Sequence, residues 1–319
     1  MISQLIPPFD IQQVLIVPWR DDGMGCLWIV LMGFLVVLAC GLVGQFMVVR
    51  RMALVGDAIA HSLLPGIALG FLITASRAPF VMAVSAILVG VLTALLIEWI
   101  PKRSRVKPDA ALGIVFSTLF AIGVILMTVF ADKVDLDADC VLYGEIGFVA
   151  MEAPFKVAGL SLLVPAPVVR MAGLTLLLVL MIIVFYKELL VTSFDPGLAK
   201  SLGISITVFH YGLMVALSLT IVSAFESVGA ILVIAMLIFP GVTASLLTNR
   251  MPLILGMTAL LAGLYAIGGF HLAVWWDCSI AGAMVVTAGF FFALVWVLNT
   301  RCGLLWQILQ RVKRSASIS

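Results

Sequence analysis

The chain has 319 residues, 64% of them hydrophobic and 11% charged, with a mean hydropathy of +1.27 and a net charge of +2. A soluble globular protein carries about 25% charged residues, so that class is excluded. The apolar runs are continuous over about 20 residues and lack the alternation of a lipid-facing barrel strand, which leaves an integral membrane protein of the helical kind.

The N-terminus has no basic region ahead of its first apolar run, and that run is long enough to span, so no cleavable signal peptide is expected. Apolar runs follow at 26–49, 55–74, 80–100, 109–130, 171–186, 204–225, 228–247, 251–270 and 279–298. The expectation is an all-α polytopic membrane protein with about nine transmembrane helices. The second run contains Asp57, His61 and Pro65, and the fifth is short. The stretch 141–168 is also apolar, but Gly144, Glu145, Gly147, Pro154, Pro165 and Pro167 interrupt it. It reads as an external or re-entrant helical segment. No low-complexity linker divides the chain, so the organisation is an extracytoplasmic segment 1–24, a transmembrane domain 25–300 and a basic cytoplasmic tail 301–319. Cysteines at 26, 40, 140, 278 and 302 are scattered without metal-ligand spacing and read as small packing residues.

Basic residues set the orientation. If the first span ends inside at Arg50-Arg51, the inner side holds Arg50, Arg51, Lys102, Arg103, Arg105, Lys107, Lys187, Lys200, Arg250, Arg301, Arg311, Lys313 and Arg314, which is 13 of the 18 lysines and arginines. The outer side collects Asp21, Asp22, Asp132, Asp135, Asp137, Asp139, Glu145 and Asp277. Both signals place the N-terminus outside and the C-terminus inside.

Three segments carry chemistry. In the first, Gly56 to Gly66, Asp57 and His61 stand four residues apart, on one helix face. A carboxylate at membrane depth costs roughly 3 kcal/mol or more, so a residue kept there has a task. Carboxylate and imidazole suit zinc, manganese and ferrous iron alike; the bland alternative is a polar pair bonded to a neighbouring helix. Pro65 removes a backbone donor and should kink the helix, and interrupted helices with charged groups near the break are a recurring way to build membrane substrate sites. Two ligands are too few for a tight site, but a symmetric dimer would supply four.

In the second segment, Phe194 to Ser205, Asp195 can cap a short helix with Pro196 in its first turn, and Gly203 can end it. Such a helix on the cytoplasmic face suits docking to a cytoplasmic partner; a solvated loop helix is the alternative. The third, Ser227 to Arg250, carries small residues for close helix approach, Gly229, Ala230, Ala235, Gly241 and Ala244. Pro240-Gly241 should break it. Glu226, just ahead of it, reads as interfacial, with a possible outer gate as the alternative. His210 and His271, near span ends, read as structural, and the acidic loop 132–139 as ordinary charge asymmetry. No Gly-x-x-x-x-Gly-Lys phosphate loop occurs, so any ATP-driven engine is a separate subunit.

In this order the three segments resemble the permease subunits of the ABC importers for manganese, zinc and iron. Gly56, Asp57, Ala58, His61, Pro65 and Gly66 match a Gly-Asp-Ala-x-x-His-x-x-x-Pro-Gly pattern, preceded by Arg51-Met52-Ala53-Leu54. Phe194-Asp195-Pro196, Ala199 and Leu202-Gly203 resemble the family's coupling segment. Val228-Gly229, Leu232-Val233 and Pro240-x-x-Thr243-Ala244 resemble its seventh-span signature. Tyr143-Gly144 replaces a usual Phe-Gly, and Gly241 stands where many members have Ala. The similarity runs over about residues 25 to 300.

The resemblance implies a fold related to cobalamin and siderophore permeases, placed in a bacterial cytoplasmic (inner) membrane. It implies ABC ATPase subunits, an extracytoplasmic metal-binding protein and a second permease chain, identical or paralogous, as partners in the lipid bilayer, and no nucleic acid. Asp57 and His61 become the expected metal ligands, and Asp195, Pro196, Ala199, Leu202 and Gly203 the ATPase-coupling segment. The metal, Mn, Zn or Fe, is cargo; no permanently bound cofactor and no enzyme activity of the chain itself are expected. A proton-coupled secondary metal carrier and a permease for a metal chelate such as a siderophore are the rival readings. The first leaves Asp195–Gly203 unexplained; the second gives no reason for two metal ligands within one turn.

Overall fold

The computed structural model describes residues 10–74, 79–129, 146–157 and 160–299; the side chains of 79–80, 156–157, 160–163, 226 and 230 lie outside that description. The acidic loop 132–139, Tyr143–Glu145 and the basic tail 301–319 therefore lie outside the described residues, as does the side chain of Glu226.

A π-helical turn, Gln12–Ile16, and a short helix α1, Val17–Asp21, precede the first long helix. Then come α2 (Gly23–Val49), α3 (Ala53–Thr74), α4 (Pro79–Arg103) and α5 (Pro108–Val129). A 3-10 turn, Ile146–Met151, leads into an antiparallel hairpin of β1 (Pro154–Val157) and β2 (Leu160–Pro165), with Pro154 opposite Pro165 and Val157 opposite Leu160. The second half holds α6 (Ala166–Val184), α7 (Tyr186–Phe194), α8 (Pro196–Ser201), α9 (Ile206–Leu247), α10 (Met251–Trp276) and α11 (Ile280–Leu298).

Among the described residues, eight helices are long and apolar enough to cross a membrane. The expected sixth and seventh spans are the two parts of α9. Its first part, Ile206–Phe225, meets the length; its second, Ile231–Leu247, is shorter. At about 1.5 Å per residue the second part reaches roughly 26 Å, under the roughly 30 Å of a hydrocarbon core. Between them Gly229 has φ 76° and ψ 169°, a conformation essentially reserved for glycine. The chain folds back there. Ile221 and Leu237 each place a Cδ1 within 4 Å of the point where a Cβ on Gly56 would sit, whereas on one straight helix they would be about 24 Å apart along the axis.

Three expectations change. The break in the third segment falls at Gly229, and the helix runs on through Pro240-Gly241. Pro65 lies inside α3, and its ring is accommodated where Gly123 of α5 presents no side chain, a Cβ there falling 2.7 Å from Pro65 Cδ. The described part of 141–168 is a 3-10 turn and a hairpin, because its prolines and glycines interrupt helical hydrogen bonding. The fifth span also begins earlier than expected, at Ala166.

Helix α2 is the hub, packing against α9, α10, α6 and the 3-10 turn. Its centre, Val36 to Met47, is almost entirely buried. Gly44 lets it lie against the Leu237 backbone of α9, with no room for a side chain. Helices α3, α4 and α5 pack on one another, and α9 joins them to α2. Near the C-terminal end of α10, His271 holds the N-terminal segment. Its Nδ1 lies 3.0 Å from the Val14 carbonyl, and Trp19 Nε1 donates to its Nε2 at 3.5 Å. His271 thus has the structural role expected of it.

Candidate functional site

Helix α3 is buried on most of its circumference and open along Leu54, Asp57 and His61. On that open face His61 Nε2 lies 3.3 Å from Asp57 Oδ1, one turn apart, with the side chains 29% and 39% exposed respectively. The helix runs uninterrupted through Gly56. Asp57 therefore stands about 6 Å and His61 about 12 Å from the start of α3 at Ala53. The imidazole is walled by α5: its centroid is 5.1 Å from that of Phe116 and 5.8 Å from that of Phe120, the latter edge-on at 87°. These rings fix the imidazole plane from one side and leave the carboxylate and ring nitrogen open on the other. Gly56, immediately before Asp57, sits under Leu237 of α9, so the folded-back half of α9 sets the height of the pair. Among the described residues no group of three or more His, Cys, Asp and Glu side chains comes together. One chain thus offers this place two donors, a hard oxygen and a borderline nitrogen.

The second segment forms as its sequence spells it. The Asp195 side chain accepts from the Leu198 backbone N–H at 2.9 Å, Pro196 opens α8, and Gly203, at φ 73°, follows its end. Ala199 is fully buried, while Phe194, Leu198 and Leu202 are exposed. Between this element and the α9–α10 turn lies a cleft of about 650 Å³, lined by Tyr186, Phe194, Asp195, Leu198, Arg250 and Leu253 among others. The cleft is remote in sequence from the Asp57/His61 pair and shares no residue with it.

A profile of the ABC 3 transport family matches residues 25–299. The chain belongs to that family. It is the transmembrane permease subunit of an ABC importer for a divalent transition metal, and the family works in multi-subunit complexes with ABC ATPases and substrate-binding proteins. That membership removes the secondary-carrier reading. The chain is similar to the zinc transport system membrane protein TroD of Treponema pallidum, 43% identical over 281 residues, 88% of this chain and 76% of that protein. It is also similar to the manganese transport system membrane protein MntD of Bacillus subtilis, 42% identical over 283 residues, 89% of this chain and 95% of that one. Among solved structures, PsaBC from Streptococcus pneumoniae in complex with Fab superposes with a TM-score of 0.74 at 29% identity, covering 97% of this chain and 99% of that chain.

This ABC 3 permease also contains a polar cluster that reading the sequence alone did not assemble. Arg50, just past the end of α2, donates from Nε to Ser193 Oγ and from Nη2 to Thr192 Oγ1, each at 3.0 Å, and its Nη1 lies 3.4 Å from His210 Nδ1. His210 Nε2 is 3.2 Å from Glu98 Oε2, and Glu98 also pairs with Lys102 one turn on. Burial pulls the Arg50 guanidinium below its ordinary pKa, yet an arginine remains charged. The available signal was Glu98, an acid inside the apolar run 80–100.

Proposed function

We propose that Asp57 and His61 are the metal ligands of the transport pathway, and that they form half of a site. The observation that carries this reading is a carboxylate and an imidazole 3.3 Å apart on the open face of a membrane helix whose other faces are largely packed against neighbours. Charged side chains at membrane depth do not face lipid; they face a partner or a water-filled path. A second permease chain, identical or paralogous, packed two-fold on this face would bring four donors together and cover the pair. Water completes the shell, and the incomplete protein cage lets the ion leave as well as enter.

The chain sits in a bacterial inner membrane with its N-terminus outside and its C-terminus inside, the orientation its basic residues favour. In that orientation α7, α8 and the α9–α10 turn face the cytoplasm. Asp195, Pro196, Ala199, Leu202 and Gly203 then form the segment that engages the ATPase, with the adjoining cleft as part of the same contact. Glu226, at the fold-back of α9, falls on the outer side, where an extracytoplasmic metal-binding protein delivers the ion. Zinc and manganese, the metals named for the relatives, are the cargo to test first.

The deciding experiment uses the complete importer in proteoliposomes. Asp57→Ala and His61→Ala should each abolish uptake of Mn2+ or Zn2+ while the permease still inserts and still co-purifies with its ATPase. Normal uptake by both variants would remove the site assignment.

A further inference from the structure

We propose that Arg50 is a positioning residue that ties the cytoplasmic coupling segment to the metal-bearing helix. The inference rests on the preceding reading of Asp195–Gly203 and of Asp57/His61. The geometry points to Arg50 because its guanidinium joins three separate elements at their inner ends. Two of its nitrogens grip Thr192 and Ser193 in the last turn of α7, directly before Asp195, and a third meets His210 at the start of α9.

Arg50 is itself held rigidly. Its N–H returns to the Phe46 carbonyl, Arg51 turns the chain at φ 59°, and the Met52 N–H closes onto the Met47 carbonyl at 2.9 Å. Helix α3 starts at Ala53, and Asp57 follows Arg50 by seven residues. A displacement of α7 is therefore delivered to the corner from which the ligand pair is hung. A second branch reaches the same pair. His210, accepting from Arg50 at Nδ1, presents Nε2–H to Glu98 of α4. Five residues back on α4, the Thr93 hydroxyl donates to Ser62 Oγ at 2.7 Å, deep in the core, and Ser62 adjoins His61. Arg50 thus reaches α3 from below through the backbone and from the side through α4.

Only a planar fork with several donors spans three acceptors at once; an ammonium on a flexible stem does not. A guanidinium placed merely to close a helix corner would need no acceptors on α7. Taking both from one turn of α7 makes α7 and the α2–α3 corner move as a unit. Coupling needs an element that transmits displacement between two sites, and this contact is such an element.

The test is the ratio of metal moved to ATP hydrolysed, which a purely structural role would leave unchanged in whatever protein folds. The assembled importer, with ATPase and binding protein, is reconstituted in vesicles with Mn2+ and Zn2+ as probes. Arg50→Gln should keep the ATPase bound and ATP hydrolysis running while uptake per ATP falls about tenfold or more, the scale of losing hydrogen bonds to a charged group. Thr192→Val combined with Ser193→Ala leaves Arg50 in place, removes its grip on α7, and should uncouple to a similar degree. It also decides the matter if Arg50→Gln fails to insert. Uptake per ATP unchanged in the double variant would overturn the inference. Asp57→Ala run in parallel separates the two readings: if it transports normally, the site assignment itself fails; if it abolishes uptake while the double variant keeps its ratio, only the role of Arg50 fails.

Discussion

Substituting Gly229 by alanine tests the fold-back that packs Leu237 over Gly56, beside the proposed ligands Asp57 and His61. At φ 76° and ψ 169° a side chain is strained by on the order of 1–3 kcal/mol. The same replacement in an ordinary helix interior gains about 0.8–1 kcal/mol relative to glycine. Gly256 on α10 provides that comparison, since a Cβ there meets nothing within 4 Å. Gly229→Ala and Gly256→Ala should therefore differ by about 2–4 kcal/mol, with opposite signs relative to the parent. Thermal challenge in detergent, followed by gel filtration of the monodisperse fraction, reads that difference. Uptake reads the consequence at the site, because Leu237, eight residues beyond Gly229, packs on Gly56 beside Asp57, and relaxing Gly229 should loosen that contact. Equal stability of the two variants would refute both the backbone assignment and the fold-back.

Two further substitutions probe separate links. Gly44→Ala drives a methyl into the Leu237 backbone; a carbonyl cannot rotate aside as a side chain can, so the loss should reach or exceed the upper end of the roughly 1–3 kcal/mol typical of overpacking, measured by the same thermal assay. Asp195→Ala removes the cap on α8, worth about 0.5–2 kcal/mol, whereas Asn is an equally good cap. Uptake per ATP should accordingly fall in Asp195→Ala and persist in Asp195→Asn, with Mn2+ binding equal in both.

Much of this architecture was legible because it is local. Continuous apolar runs marked the long helices, and Asp195, Pro196 and Gly203 marked a cap, a first turn and an end, each decided within a few residues. The Asp57/His61 pair was legible because i,i+4 spacing fixes a shared face. The fold-back was not. Gly229 resembles the other small residues of its segment, and only the demand that α9 return against α2 and α3 selects its conformation. Pro240 misled for the converse reason. A proline breaks a helix by default, but here Gly41 of α2 leaves room for its ring. Arg50, Glu98 and His210 lie 112 and 160 residues apart across their contacts, so no local pattern could announce the cluster.

The position of the pair bears on how the importer works. Asp57 and His61 lie about 6–12 Å along a helix of 22 residues, which is about 33 Å long. In the proposed orientation they are in the inner half of the membrane, so an ion held by these proposed ligands would have a short path to the cytoplasm. The same shortness brings the pair close to the machinery that must move it. Between the Arg50 guanidinium, which touches α7, and Asp57 stand the rigid α2–α3 corner and a single turn of α3. A site at the midplane would need a lever through several turns of helix, each able to absorb displacement by bending. A site one turn beyond the corner needs almost none. In the proposed two-chain site, a displacement of α7 carried through that corner would part the donors of the facing chains. If so, inserting one alanine between Ala53 and Leu54, which rotates the pair by about 100° relative to Arg50, should abolish uptake even though every ligand and every contact of Arg50 is retained.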